Sequence, residues 1–131
     1  MREKHKDFKN AESILEASEK QMKFTLKQES TDESAFNIIR NIYECFRMLG
    51  DALLVSRGKK SEDHVDQVKA LEILEVKTSR PIKLVDNLRR MRHNINYYGY
   101  SPTKIEADDA ISFAHACFEP ILKAVLKEIK V

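Results

Sequence analysis

The stretch AFNIIRNIYECFRMLGDAL, Ala35 to Leu53, decides how this chain folds. Ala35, Ile39, Ile42, Phe46, Leu49 and Leu53 recur at alternating spacings of four and three, so a helix carries them all along one seam. Ile38 and Cys45 widen that seam, which places this helix at the centre of a bundle. SRGKK ends it. Gly58 suits a left-handed cap, and the basic residues face the negative end of the helix dipole.

The same period extends in both directions. A first helix is expected from about Lys4 to Gln28, with Phe8, Ala11, Leu15, Met22 and Leu26 along one face. ESTDES then supplies a polar turn in which Thr31 or Asp32 can cap the next helix. Ser61 is expected to cap a third helix, EDHVDQVKALEILE, whose apolar face is Val65, Val68, Leu71 and Leu74. VKTSRP breaks it, because the residue before Pro81 is pushed out of helical geometry. A fourth helix runs from about Pro81 to Tyr98 and stops at Gly99, with Pro102 just beyond. A fifth spans about Lys104 to Lys130 on Ile111, Ala114, Phe118, Ile121 and Val125, and Pro120 within it is expected to introduce a kink. Long helices joined by short loops make an all-α, up-and-down bundle of four to five antiparallel helices, read as one domain over residues 1–131.

Composition narrows the function. A net charge of +2 does not by itself argue for a polyanion partner. Cys45 and Cys117 lie in apolar helical contexts without metal-ligand spacing, and reduced, buried thiols suit the cytoplasm. MREKHKDFKN lacks the apolar run of a signal peptide, and AISFAHACF is far too short to span a membrane. His5, His64, His93 and His115 are scattered and only Gly50, Gly58 and Gly99 are glycines, so neither a metal site nor a glycine-rich phosphate loop is expected, and no cofactor.

NLRRMRHNINYYGYSP, Asn87 to Pro102, carries the unusual chemistry. At about 100° per residue, Leu84, Met91, Ile95 and Tyr98 fall within about 80° on one side of Leu88, and Val85 about 60° on the other. Arg92 lies about 40° from Leu88, on the edge of the buried seam, with Asn96 one turn on. Arg89, His93 and Tyr97 form a second row. A guanidinium on an apolar edge needs a partner. Either Arg92 bridges to a carboxylate or snorkels to solvent, or it is held ready for a phosphate, which it matches bidentately. Between Arg80 and Lys104 there are six basic residues and one acid, Asp86, whereas the third helix carries five acids. Tyr97, Tyr98 and Tyr100 either stack on bases or cap the bundle, and for Tyr98, on the seam, core packing is the expectation.

LRRMRHNINYYGY, after a long apolar helix and the turn RGKKSEDH, resembles the HEPN superfamily (higher eukaryotes and prokaryotes nucleotide-binding domains), its small archaeal and bacterial members above all. The resemblance covers nearly the whole chain and implies an up-and-down bundle, commonly a homodimer and often paired with a minimal nucleotidyltransferase in toxin–antitoxin systems. Ribonuclease members carry Arg, four to six residues, then His, and cut RNA without metal. Here the arginine is Arg92 and the histidine position holds Tyr97. Tyrosine, with a pKa near 10, is a poor base beside histidine near 6.5. His93, one turn earlier, and His115 on the fifth helix are the alternative histidines. The resemblance thus implies nucleotide or RNA binding by Arg89, Arg92, Asn96, Tyr97 and Tyr100, with Arg92 and Tyr97 in any catalysis. It also implies that Tyr97, Tyr98 or Tyr100 can accept a nucleotidyl group. The alternatives are a metal-independent endoribonuclease and a structural dimer whose basic helix meets acids of its partner.

Overall fold

A computed structural model describes residues 2–3, 5–60 and 63–130. Five helices carry the fold: α1 (Phe8–Thr25), α2 (Ala35–Ser56), α3 (His64–Glu72), α4 (Leu84–Tyr98) and α5 (Lys104–Ile129). Two-residue strands β1 (Arg2–Glu3) and β2 (Lys59–Lys60) pair antiparallel. No helix among the described residues is long and apolar enough to cross a membrane.

α2 is the axis. All six of its seam residues, with Ile38 and Cys45, are fully buried, and α2 packs against each of the other four helices. Arg57 at its end pairs with Glu128 near the end of α5, and Phe46 meets Phe113 and Phe118, so α2 and α5 run side by side in the same sense. α1 and α4 run opposite to them: the Asp7 amide donates to Val55, and Arg40 near the start of α2 reaches Asn96 near the end of α4. The section is therefore a rhombus, with α2 and α5 on its short diagonal. α4 and α5 do not close on each other, and a cleft of about 320 Å³ lined by Leu84, Leu88, Met91, Ile105 and Phe113 lies between them. The short α3 lies against α2 and α4. Its approach depends on Gly50, where a Cβ would stand 2.2 Å from the Gln67 carbonyl oxygen.

The caps differ in part from expectation. Gly58 (φ 72°) and Gly99 (φ 64°) hold the left-handed positions after α2 and α4. Ser34, not Thr31 or Asp32, is the cap residue of α2; Thr31 and Ser34 bond to each other, and Asp32 instead accepts from the Lys104 amide at 2.7 Å, capping α5 from across the bundle. α5 also starts on its own capping box, Thr103 with Glu106. Asp63 caps α3, accepting from the Asp66 amide; the Ser61 expectation lies outside the described residues, as does Lys4. α4 begins at Leu84 because residues 81–83 form a tight turn rather than a first helical turn. α5 continues through Pro120. On α1, Ala11, Leu15 and Met22 are buried, but Phe8 at its open first turn is 44% exposed. Cys45 and Cys117 are buried, free thiols.

Candidate functional site

The antiparallel run of α2 beside α4 sets polar residues of the two helices in rungs. Arg40 donates from Nη1 to the Asn96 side-chain oxygen at 3.1 Å, and its guanidinium lies 5.3 Å from the centre of the Phe36 ring. Further along, the fully buried Tyr43 lies within the electrostatic reach of Arg92, Arg47 and Arg89. Positions 40, 43 and 47 on α2, and 89, 92 and 96 on α4, recur every three to four residues. One turn separates each rung from the next.

Most of the cations in this groove are engaged. Arg47 is clamped by Glu44, with Nε 2.8 Å from its carboxylate. Asp86 accepts from Arg89 at 2.7 Å and also meets Arg90 at 3.1 Å. Arg92 is the exception. It is half-buried, and it makes no hydrogen bond or ion pair among the described residues. The reading in which Arg92 bridges to a carboxylate of a neighbouring helix is therefore not what this structure contains.

α3 brings a group that the sequence did not single out. His64, the first residue of α3, accepts or donates a 2.9 Å hydrogen bond between its Nδ1 and the Tyr43 hydroxyl, and the two rings stack with centres 5.7 Å apart. Burial pushes the Tyr43 phenol up to about 12, with Arg47 and Arg92 pulling against it. His64 is shifted the other way. Burial first, then the positive charges of Arg92 and Arg47, lower its pKa from the ordinary 6.5. One signal for this pair was present in the sequence: a tyrosine inside the most apolar helix needs a partner for its hydroxyl. Which residue supplies it is a matter of docking.

The remaining candidates separate into two places. His93, Tyr97 and Tyr98 form an exposed aromatic cluster on the last turns of α4, with His93 4.7 Å from the Tyr97 ring and 5.7 Å from the Tyr98 ring. Tyr98 is 76% exposed, which corrects the expectation that it packs in the core; at about 80° from Leu88 it stands on the outer margin of the seam, in the last turn of α4. Tyr97 is 66% exposed. Tyr100 is tied by its hydroxyl to Glu106 at 2.7 Å, beside the α5 capping box. His115 is exposed in a shallow groove between α1 and α5, on the other side of the bundle from α4. Among the described residues no three histidine, cysteine, aspartate or glutamate side chains converge as a metal-ligand set.

No family model, no characterised protein and no solved structure matches this chain.

Proposed function

We propose that this chain is a HEPN-type helical module that binds RNA or nucleotide through phosphate contacts in the α2–α4 groove, and that it works as a homodimer beside a minimal nucleotidyltransferase in a toxin–antitoxin-type pair. The single observation that carries the binding reading is Arg92. Arg92 is half-buried as a residue and has no acid beside it among the described residues, so its charge is free to meet an incoming anion. A phosphate supplies both the charge and the two in-plane oxygens that a guanidinium matches. Arg40 and Asn96 one turn away, and Arg89 on the other side, extend the positive groove along the helix pair. The partner and the toxin–antitoxin setting rest on the resemblance of LRRMRHNINYYGY to that superfamily.

Within this reading the tyrosines are not equivalent as acceptors of a nucleotidyl group. Tyr97 and Tyr98 are open to an enzyme, whereas the Tyr100 hydroxyl already donates to Glu106. The deciding experiment measures binding of a fluorescent single-stranded oligoribonucleotide to wild type and Arg92→Ala across a salt series. Binding that weakens with salt and is lost in the variant supports the reading; salt-independent or Arg92-independent binding, or none, removes it.

The endoribonuclease reading is the second. An arginine able to stabilise a pentacoordinate phosphorus is available in Arg92, but Tyr97 stands open on the far turn with the His93 ring tilted against it. RNA incubated with the protein in EDTA, with Arg92→Ala as control, decides between binding and cleavage.

A further inference from the structure

We propose that His64 forms the second wall of the Arg92 phosphate site, donating from Nε2 to the same phosphate, and that Tyr43 is the residue that positions it. This rests on the phosphate-binding reading of Arg92 and adds to it a residue from another helix, far from the arginine in sequence.

The geometry assigns the nitrogens. Nδ1 is taken by the Tyr43 hydroxyl at 2.9 Å, and the ring is steadied by its stack on Tyr43. Nε2 makes no hydrogen bond among the described residues. His64 is half-buried where α3 lies against α2 and α4, the two helices that line the groove. The charged groups that act on it come from every neighbouring element: Arg47 and Glu44 from α2, Arg92 from α4, and Asp63 at the cap of its own helix. Glu44 is clamped by Arg47, and among the charges acting on His64 the effect of Arg92 is larger than those of Glu44 and Asp63.

Burial and that field disfavour the charged form of His64 while no anion is bound. Two cations facing each other across the groove repel, and burial adds to the cost of charging the ring. A bound phosphate reverses the sign of the field. The imidazolium then becomes the favoured form, and Nε2–H adds a charge-assisted bond to the two that Arg92 supplies. Tyr43 suits both states. Its hydroxyl donates to Nδ1 of the neutral ring and, turned about the C–O bond, accepts from Nδ1–H of the imidazolium. The ring therefore keeps its place while its charge changes. Binding takes up one proton, and affinity rises as pH falls.

The test follows the His64 ring proton by NMR, assigned with His64→Gln, over a pH series without ligand, with a short single-stranded oligoribonucleotide and with a nucleoside monophosphate. The expected result is a His64 pKa raised by about one unit on ligand addition, with affinity roughly five- to eightfold higher near pH 5.5 than near pH 8, towards a limit of about tenfold at lower pH. The pH dependence is lost in His64→Gln. A response to the oligoribonucleotide alone identifies a phosphodiester as the ligand; a response to both identifies a terminal phosphate as sufficient. Tyr43→Phe keeps the stack and the volume but removes the hydroxyl, and is expected to shrink the pKa response. If the ligand binds in an Arg92-dependent way while the His64 pKa stays put, or His64→Gln keeps the pH dependence, the second wall is overturned and the binding reading stands. A Tyr43→Phe response equal to wild type overturns the positioning role. If no Arg92-dependent binding occurs, both proposals fall together.

Discussion

Asp86 holds Arg89 at 2.7 Å, and its other oxygen meets Arg90 at 3.1 Å. One carboxylate thus serves two of the three arginines of α4, and the third, Arg92, has no acid partner among the described residues. Asp86→Asn is expected to release both arginines, of which Arg89 lies in the groove. Oligoribonucleotide affinity should then rise several-fold and fall more steeply with salt, by roughly 0.7 in log–log slope for each further phosphate neutralised. Arg92→Ala should weaken binding by about a hundredfold, the size of the two charge-assisted hydrogen bonds that it supplies. Fluorescence anisotropy at several salt concentrations reads both. Unchanged affinity in Asp86→Asn would mean that the released arginines do not reach the ligand.

An arginine kept for a ligand should not be kept for stability. Arg92→Met retains the aliphatic stem and removes the unpaired charge, so thermal unfolding is expected to stay within about 1 kcal/mol of wild type or to shift upward. A loss of several kcal/mol would show that Arg92 is a structural residue after all.

Acid should act on this fold in two separate windows. The folded pKa of His64 is lowered, so the unfolded chain takes up a proton first as pH falls. The contribution is complete above the ordinary 6.5 and is lost as pH drops through the lowered folded value. Asp86 is also lowered, by its hydrogen bond to Arg89 above all, and its contribution disappears only below the ordinary carboxylate value of 3.8. Urea midpoints measured across this range should show His64→Gln flattening the upper window alone.

Gly50→Ala is expected to cost about 3 kcal/mol, since its Cβ would meet a backbone carbonyl that α3 can withdraw only by moving away from α2. The same movement would carry His64 off Tyr43. Asp32→Ala, which removes a distant cap from α5, should cost about 1 kcal/mol and leave the groove intact. Chemical denaturation curves rank the two.

Cys45 is fully buried, and burial pushes its thiol up to about 12. It is expected to resist a thiol reagent in the native protein and to react once the chain is unfolded. Rapid native labelling would show that α2 opens locally.

The residues of α2 made the bundle legible before any coordinates, because a helix that buries its whole seam must write that seam at the helical period. The edge position of Arg92 was legible for the same reason: angle around a helix follows from residue number. Tyr98 shows where this stops. The period places it on the margin of the seam, but whether a marginal residue is covered depends on how the neighbouring helices dock, and Tyr98 is left exposed.

What the chain determined alone is local: five helices, their apolar faces and a basic residue at a boundary. Tertiary structure alone decided which acids stand beside which arginines, that Arg92 is given none, and that His64 comes down on Tyr43. Periodicity is a property of one helix, whereas a partner is a matter of where a second helix docks. The docking of α3 is set by a close approach at Gly50, which leaves no periodic trace in the sequence.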